Sequence, residues 1–254
     1  MGKLYDPERL RIIATICIDI ARGLIVAGAG TARVEETVHH IGVSCQVPIE
    51  SQVTPTSIVV SVGSDRPVTR ICRVRARTID LDKLVDLNNV SRQICNKEIT
   101  IHAARLRIAN ILARKPIYSN TVIYWGQALC CAGFAVILGG GAKEIPPALL
   151  EGLLAQYLLV KLGHMPMFLC AFASAITTTL AASAIHFFIP EVELEPILLA
   201  GIVPLLPGLS LANAVVDLMA GELTAGVART TEALLCAAAL ASGALIGLNM
   251  SSLL

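Results

Sequence analysis

Residues 198–221 read LLAGIVPLLPGLSLANAVVDLMAG, an apolar stretch long enough to cross a bilayer that nonetheless contains Pro204, Pro207-Gly208 and an acid, Asp217. Proline lacks a backbone donor and its ring clashes with the preceding turn, so the two prolines predict a break, with a second half-helix starting near Ser210. Asn213 and Asp217 fall one turn apart on that second half and share a face. Freed backbone groups and a carboxylate are both costly against hydrocarbon. The polar face is therefore expected to meet protein, water or a ligand, with Asp217 facing a cavity, and the stretch reads as a membrane span that breaks itself.

The rest of the chain agrees with a membrane setting. Hydrophobic residues make up 55% of the 254, charged residues 15%, and the mean hydropathy is +0.70, too apolar for an ordinary soluble domain. Charge is divided unevenly: 17 of the 20 Lys and Arg, and 11 of the 19 Asp and Glu, fall in residues 1–120. This division predicts two domains, a cytoplasmic α+β domain over 1–118 and an all-α transmembrane bundle over 119–254. Apolar segments near 121–141, 146–163, 166–189, 197–220 and 228–250 predict about five transmembrane helices, one of them broken at Pro204/Pro207-Gly208.

Orientation follows from the loops. The first residues carry charges of both signs, and Asp19 and Arg22 interrupt the apolar run after them, which fits neither a signal peptide nor a span. A cytoplasmic N-terminus in the cell (inner) membrane then puts Lys143 and the acidic Glu191–Glu195 segment outside, and Lys161, His164 and Arg229 inside. The cluster Arg105, Arg107, Arg114 and Lys115, just before the first span, reads as an anchor at anionic lipid headgroups.

Within the first domain, Leu10, Ile13, Ile16 or Cys17, Ile20 and Leu24 form a helical stripe from Asp6 to about Val26. After Gly28-Ala29-Gly30, Thr31 is placed to cap a short helix ending near Gly42. Runs at 46–53, 57–64 and 68–77, rich in Val and Ile between turn residues, predict a three-stranded sheet with Arg70, Arg73, Arg75 and Arg77 giving a basic face. Helices are expected at 81–96 and 99–115.

In the bundle, Glu151 and Lys161 are expected near the two ends of their span, snorkelling. The small residues of 171–184 and 237–247 predict close helix packing, and Thr177–Thr179 are expected to bond their own backbone. Eight scattered cysteines show no zinc spacing and read as reduced and mostly buried. Adjacent His39 and His40 point apart on a helix, and the spans hold no HExxH motif and no pair of membrane aspartates. No metal, cofactor or catalytic residue is predicted, the protein is not read as an enzyme, and the basic strand is better explained by lipid than by nucleic acid.

Three stretches, GAGTARVEET at 28–37, VTPTSIVVS at 53–61 and PLLPGLSLANAVVDLMAGELTAGVAR at 204–229, make the chain resemble the threonine/serine exporter family. The resemblance covers nearly the whole chain with three motifs in order. It implies a subunit exporting small amino acids or small dicarboxylates such as succinate, driven by the proton gradient. The length resembles the long subunit of the split form, which works with a short membrane subunit, so a hetero-complex, a homo-oligomer or both are implied. The alternative is an accessory subunit whose partner forms the pathway. Carried over from the family pattern are Arg33 and Glu35 in the first motif and Thr54, Pro55 and Thr56 in the second; Gly30 and Ala32 stand where many members have Glu and Tyr. In the third motif Pro207, Gly208, Ser210, Asn213 and Asp217 become the substrate or pathway residues, because a half-helix N-terminus suits a substrate carboxylate. Asp217 would bind the substrate ammonium or carry the coupled proton.

Overall fold

A computed structural model of the chain describes residues 6–75 and 78–252. Two compact units form, one from the chain up to Pro116 together with Leu211–Thr230, the other from Ile117–Ser210 together with the chain from Thr231 on.

The first unit contains α1 (Pro7–Val26), α2 (Thr31–Cys45), β1 (Ile49–Val53), β2 (Ser57–Val62), β3 (Val68–Arg73), α3 (Leu81–Cys95) and α4 (Ile101–Ala113). Asp6 starts α1 by accepting the Glu8 N–H at 3.1 Å, with Pro7 at the first helical position where its missing donor is harmless. The three strands make an antiparallel meander in the order β1-β2-β3, with Ser51 opposite Val60 and Val59 opposite Ile71. Alternation along β2 turns Ile58, Val60 and Val62 inward, against α1. Ile13, Cys17, Ile20 and Leu24, the stripe expected of α1, are buried in the same core with Leu87 of α3 and Ile108 of α4. Strand β3 lies at the sheet edge, and Arg70, Arg73 and Arg75 are exposed; Arg77 lies outside the described residues.

The second unit is helical: α5 (Asn120–Ile137), α6 (Ile145–Leu162), α7 (Met167–Phe188) and α8 (Leu194–Ile202), followed by a 3-10 turn at Val203–Leu205. Helices α9 (Gly208–Met219) and α10 (Leu223–Ser251) contribute to both units, since Leu211–Thr230 belongs to the first. Helices α5, α6, α7 and α10 are long and apolar enough to cross a membrane, and only a minority of their apolar residues is buried within the chain. Apolar side chains such as Leu129, Ile137, Leu150 and Leu245 therefore face outward, as lipid-exposed positions do.

The predicted break is real and slightly displaced. Helix α8 stops at Ile202, Pro204 sits in the 3-10 turn, and α9 begins at Gly208 rather than Ser210. The two halves are bent by 49° and together are apolar enough for a fifth, broken span or a re-entrant loop.

Small residues set the helix crossings. A side chain on Gly152 would lie 2.6 Å from Ala128 Cα, one on Gly243 2.6 Å from the Phe172 carbonyl oxygen, and one on Gly247 2.8 Å from Thr179 Cβ. Thr177 and Thr178 bond the carbonyls of Ala173 and Ser174, one turn back, as expected, whereas the buried Thr179 Oγ1 has no partner among the described residues. At one end of the bundle, Lys143 meets Glu191 at 2.7 Å, and Glu144 accepts the N–H groups of Gly141 at 2.7 Å and Glu193 at 3.0 Å. The loop before α6 is thereby tied to the acidic loop before α8. All eight cysteines are free thiols, five of them buried.

Candidate functional site

The polar face of α9 is built against the loop that joins α1 to α2. Gly28 makes that turn possible with φ 101°, a left-handed conformation that side chains disfavour. Helix α2 then begins at Thr31, so the expected cap is the first helical residue and Gly30 occupies the cap position with no side chain to offer. A helix start leaves backbone N–H groups unpaired and a partial positive charge. Asp217 supplies what Gly30 lacks: its Oδ1 accepts the Ala32 N–H at 3.2 Å, a cap provided from 185 residues away. Glycine is suited here because a Cβ at position 30 would stand 3.2 Å from that same oxygen.

The remaining polar atoms of the face are engaged too. Asn213 Nδ2 donates to the Gly28 carbonyl at 2.9 Å, and Arg229, near the start of α10, donates from Nη2 to the Ala29 carbonyl at 2.8 Å. Arg229 Nε also lies 3.2 Å from Asp217 Oδ2, with the two side chains 4% and 0% exposed. Gly221, at φ 87°, makes the turn between α9 and α10 that lets these side chains meet. Charge compensation is what makes a buried carboxylate tolerable. Helix α9 is inside out: Asn213, Ala214 and Asp217 are covered or half-covered, while Leu211, Val215, Val216 and Met219 are exposed.

Glu35 extends this cluster. It accepts the N–H of Val53 at the end of β1, and burial pushes its carboxyl above the usual range. The Val53 N–H opposes that shift, and the nearby carboxylates of Glu222 and Asp217 add to it. The second motif is a turn: Thr54 Oγ1 accepts the Ser57 N–H at 2.9 Å, Pro55 is buried, and the Thr56 carbonyl accepts the Val74 N–H at 2.9 Å. Arg33 stays apart from Asp217. It is exposed and borders a cavity of about 240 Å³ with Glu36, His40, Asn88 and Arg92. Pro207, Gly208 and Ser210 stand at the break itself, with Gly208 exposed and Pro207 and Ser210 half-buried. Among the described residues, no group of three His, Cys, Asp or Glu side chains is arranged to hold a metal ion.

Two residues escaped the reading of the sequence. Arg229 was expected only as a cytoplasmic loop charge, and it is the buried partner of Asp217. A cation at the start of an apolar helix, with one acid on the helix before it, was the available signal. Glu151 is not at the end of its span. It is 1% exposed, and neither carboxylate oxygen has a hydrogen-bond partner among the described residues. Its place seven residues into an apolar 18-residue helix, between Leu150 and Gly152, was the signal there.

An α+β unit and a set of outward-apolar helices in one chain define a multi-pass membrane protein. The sequence profile of the threonine/serine exporter (ThrE) family matches residues 15–251, and the chain belongs to that family. It is 27% identical over 251 residues to a Mycobacterium tuberculosis protein named a probable threonine/serine exporter, covering 96% of this chain and 47% of that one. The chain thus spans about half the length of that relative. It is 25% identical over 254 residues to a Klebsiella aerogenes protein named a probable succinate transporter subunit, covering 96% of both. A protein of the same name from Escherichia coli K12 is 23% identical over 253 residues, covering 96% of this chain and 97% of its own length. No solved structure matches the chain.

Proposed function

We propose that this chain is a subunit of an inner-membrane exporter, oriented with its N-terminal α+β domain in the cytoplasm and driven by the proton gradient. Threonine, serine or a small dicarboxylate such as succinate is the cargo. The observation that carries the reading is a transporter family match running through both the α+β unit and the apolar helices. The strong bias of Lys and Arg to residues 1–120 supports the orientation.

The break at Pro207-Gly208, with Ser210 in the first turn of α9, is the proposed pathway segment, where unpaired backbone N–H groups suit a substrate carboxylate. Asp217 and Asn213 are proposed as positioning residues rather than substrate ligands. Their polar atoms are already taken by Ala32, Gly28 and Arg229, and a substrate would have to displace a buried arginine to reach them. Arg33, Glu35 and the Thr54-Pro55-Thr56 turn belong to the α+β unit that this polar face holds in place.

A second reading, an accessory subunit whose partner forms the pathway, is favoured by one observation: two relatives are named as subunits. A complex with a short membrane subunit, a homo-oligomer, or both would then surround the substrate. Proteoliposomes holding the chain with and without its partner, loaded with labelled threonine, serine or succinate and given an imposed pH gradient, decide between them. Efflux by the chain alone supports the first reading, and efflux only with the partner supports the second. No efflux in either preparation overturns the exporter assignment.

A further inference from the structure

The second unit holds an acid that the site above does not use. Glu151 of α6 is 1% exposed, and among the described residues its two oxygens have no hydrogen-bond partner and no cation pairs with it. Two other acids of the C-terminal half are buried, and both have partners: Glu144 accepts two backbone N–H groups, and Asp217 has both a backbone donor and an arginine. The cost of an uncompensated carboxylate away from water far exceeds that of a neutral carboxyl group. Asp217 and Glu151 therefore differ in their surroundings: Asp217 is held in a fixed pair, whereas the Glu151 carboxyl group has no donor and no cation beside it among the described residues.

The neighbours of Glu151 fit that use. A Cβ on Gly201 of α8 would lie 3.2 Å from Glu151 Oε2 and 3.4 Å from Thr178 Cβ, so glycine leaves the carboxyl group room against α8. Of the helices packed on α6, α5 brings the buried thiol of Cys131, while Thr178 of α7 and Gly201 of α8, at the carboxyl group, bring no charge. Buried polar atoms with no partner among the described residues recur on the flanking helices, at Gln127 Nε2, Ser174 Oγ and Thr179 Oγ1. Gly201 is also the residue before the end of α8, immediately ahead of the turn at Val203–Leu205. The Glu151 carboxyl group thus lies against the last turn of α8, immediately ahead of the break.

We infer that Glu151 is the proton carrier that couples transport to the proton gradient. Its carboxylate gains a proton from water on one side of the membrane, forming one O–H bond, and returns that proton to water on the other side. The inference rests on the exporter reading above, and it moves the proton from Asp217, where the sequence left it as one option, to Glu151.

Two measurements on the full chain in proteoliposomes, with its partner where one is required, test it. The first needs no transport: dicyclohexylcarbodiimide reacts with protonated carboxyl groups in apolar surroundings, and peptide mass mapping locates the product. Labelling at Glu151 that falls at least tenfold from acid to alkaline pH supports the inference, and labelling absent or unchanged with pH overturns it. The second compares wild type with Glu151→Gln. The variant should keep exchange of labelled substrate across the membrane at equal concentrations while losing at least tenfold of the flux driven by a pH gradient. Gradient-driven flux at the wild-type level overturns the inference. If the wild type moves no substrate at all, the exporter reading falls while the carbodiimide titration still decides whether Glu151 carries a proton.

Discussion

Asp217 caps helix α2 with one carboxylate oxygen and pairs with Arg229 through the other, at 3.2 Å in each case. Two helix turns and a loop from distant parts of the sequence meet on one side chain. Replacing Asp217 by Asn keeps an acceptor for the Ala32 N–H but removes the charge that Arg229 meets at 3.2 Å, and breaking a buried ion pair from one side costs up to about 3–5 kcal/mol. Asp217→Ala loses the cap as well, adding about 1 kcal/mol. The double variant Asp217→Asn with Arg229→Gln should be less damaging than the sum of its parts. Thermal unfolding of the purified protein in nanodiscs checks the order; strictly additive losses would show that the pair is not coupled.

The same oxygen explains Gly30. A methyl group there would stand 3.2 Å from Asp217 Oδ1 and 3.7 Å from Asn213 Oδ1, against side chains whose hydrogen bonds hold them in place. Gly30→Ala should destabilise by about 1–3 kcal/mol, the usual cost of overfilling a packed site. Gly30→Glu should cost more because it sets a second anion beside Asp217, and adding Asp217→Asn should recover part of that loss. Unfolding midpoints of the three variants measure this; equal midpoints for Ala and Glu at position 30 would remove the electrostatic part of the argument.

Most of the elements were legible because their signals are local. The α1 stripe, the alternation of Ile58, Val60 and Val62, and the Pro204 to Gly208 break are written in periodicity and backbone chemistry, and the boundaries agree within a few residues. What local signals could not carry is partnership. Thr31 was the better cap by residue type, yet a carboxylate from α9 took the role. Glu151 looked like a snorkelling residue because a helix repeat says which face a side chain occupies but not how deeply its neighbours cover that face. Asp217 was expected to face a cavity; it is instead fully buried against Arg229, brought back by the turn at Gly221, because the sequence shows the cost of an exposed acid in the span but not which distant cation offsets it.

Glu35 makes the stability of the first unit depend on pH. Burial raises its folded carboxyl above the ordinary value, so the native state binds this proton more tightly than the unfolded chain does. Below the ordinary carboxylate range both states are protonated and the group is neutral in its effect. As pH rises through the folded value, the unfolded state is already ionised, and stability is lost. Glu35→Gln keeps an acceptor for the Val53 N–H and removes the titration. Its unfolding midpoint should therefore rise relative to wild type between acid and neutral pH. A constant difference between the two across that range would show that Glu35 does not titrate with folding.

Two glycines of α6 and α8 separate a backbone limit from a side-chain limit. At Gly152 a Cβ would meet Ala128 Cα at 2.6 Å and the Gln127 carbonyl oxygen at 2.8 Å. Neither atom can move without shifting helix α5. At Gly201 the nearest atom is Glu151 Oε2 at 3.2 Å, the end of a side chain that can rotate. Gly152→Ala should therefore force α5 and α6 apart, with a loss of about 1–3 kcal/mol or more and a reduced yield of folded protein. Gly201→Ala should fold near normally, with a loss under about 1 kcal/mol, while displacing the Glu151 carboxyl group. Folded yield from fluorescence-detected size exclusion and unfolding midpoints measure both. If Gly201→Ala proved the more damaging, the space beside Glu151 would be as rigid as the α5–α6 crossing, and the carboxyl group could not move on gaining or losing a proton.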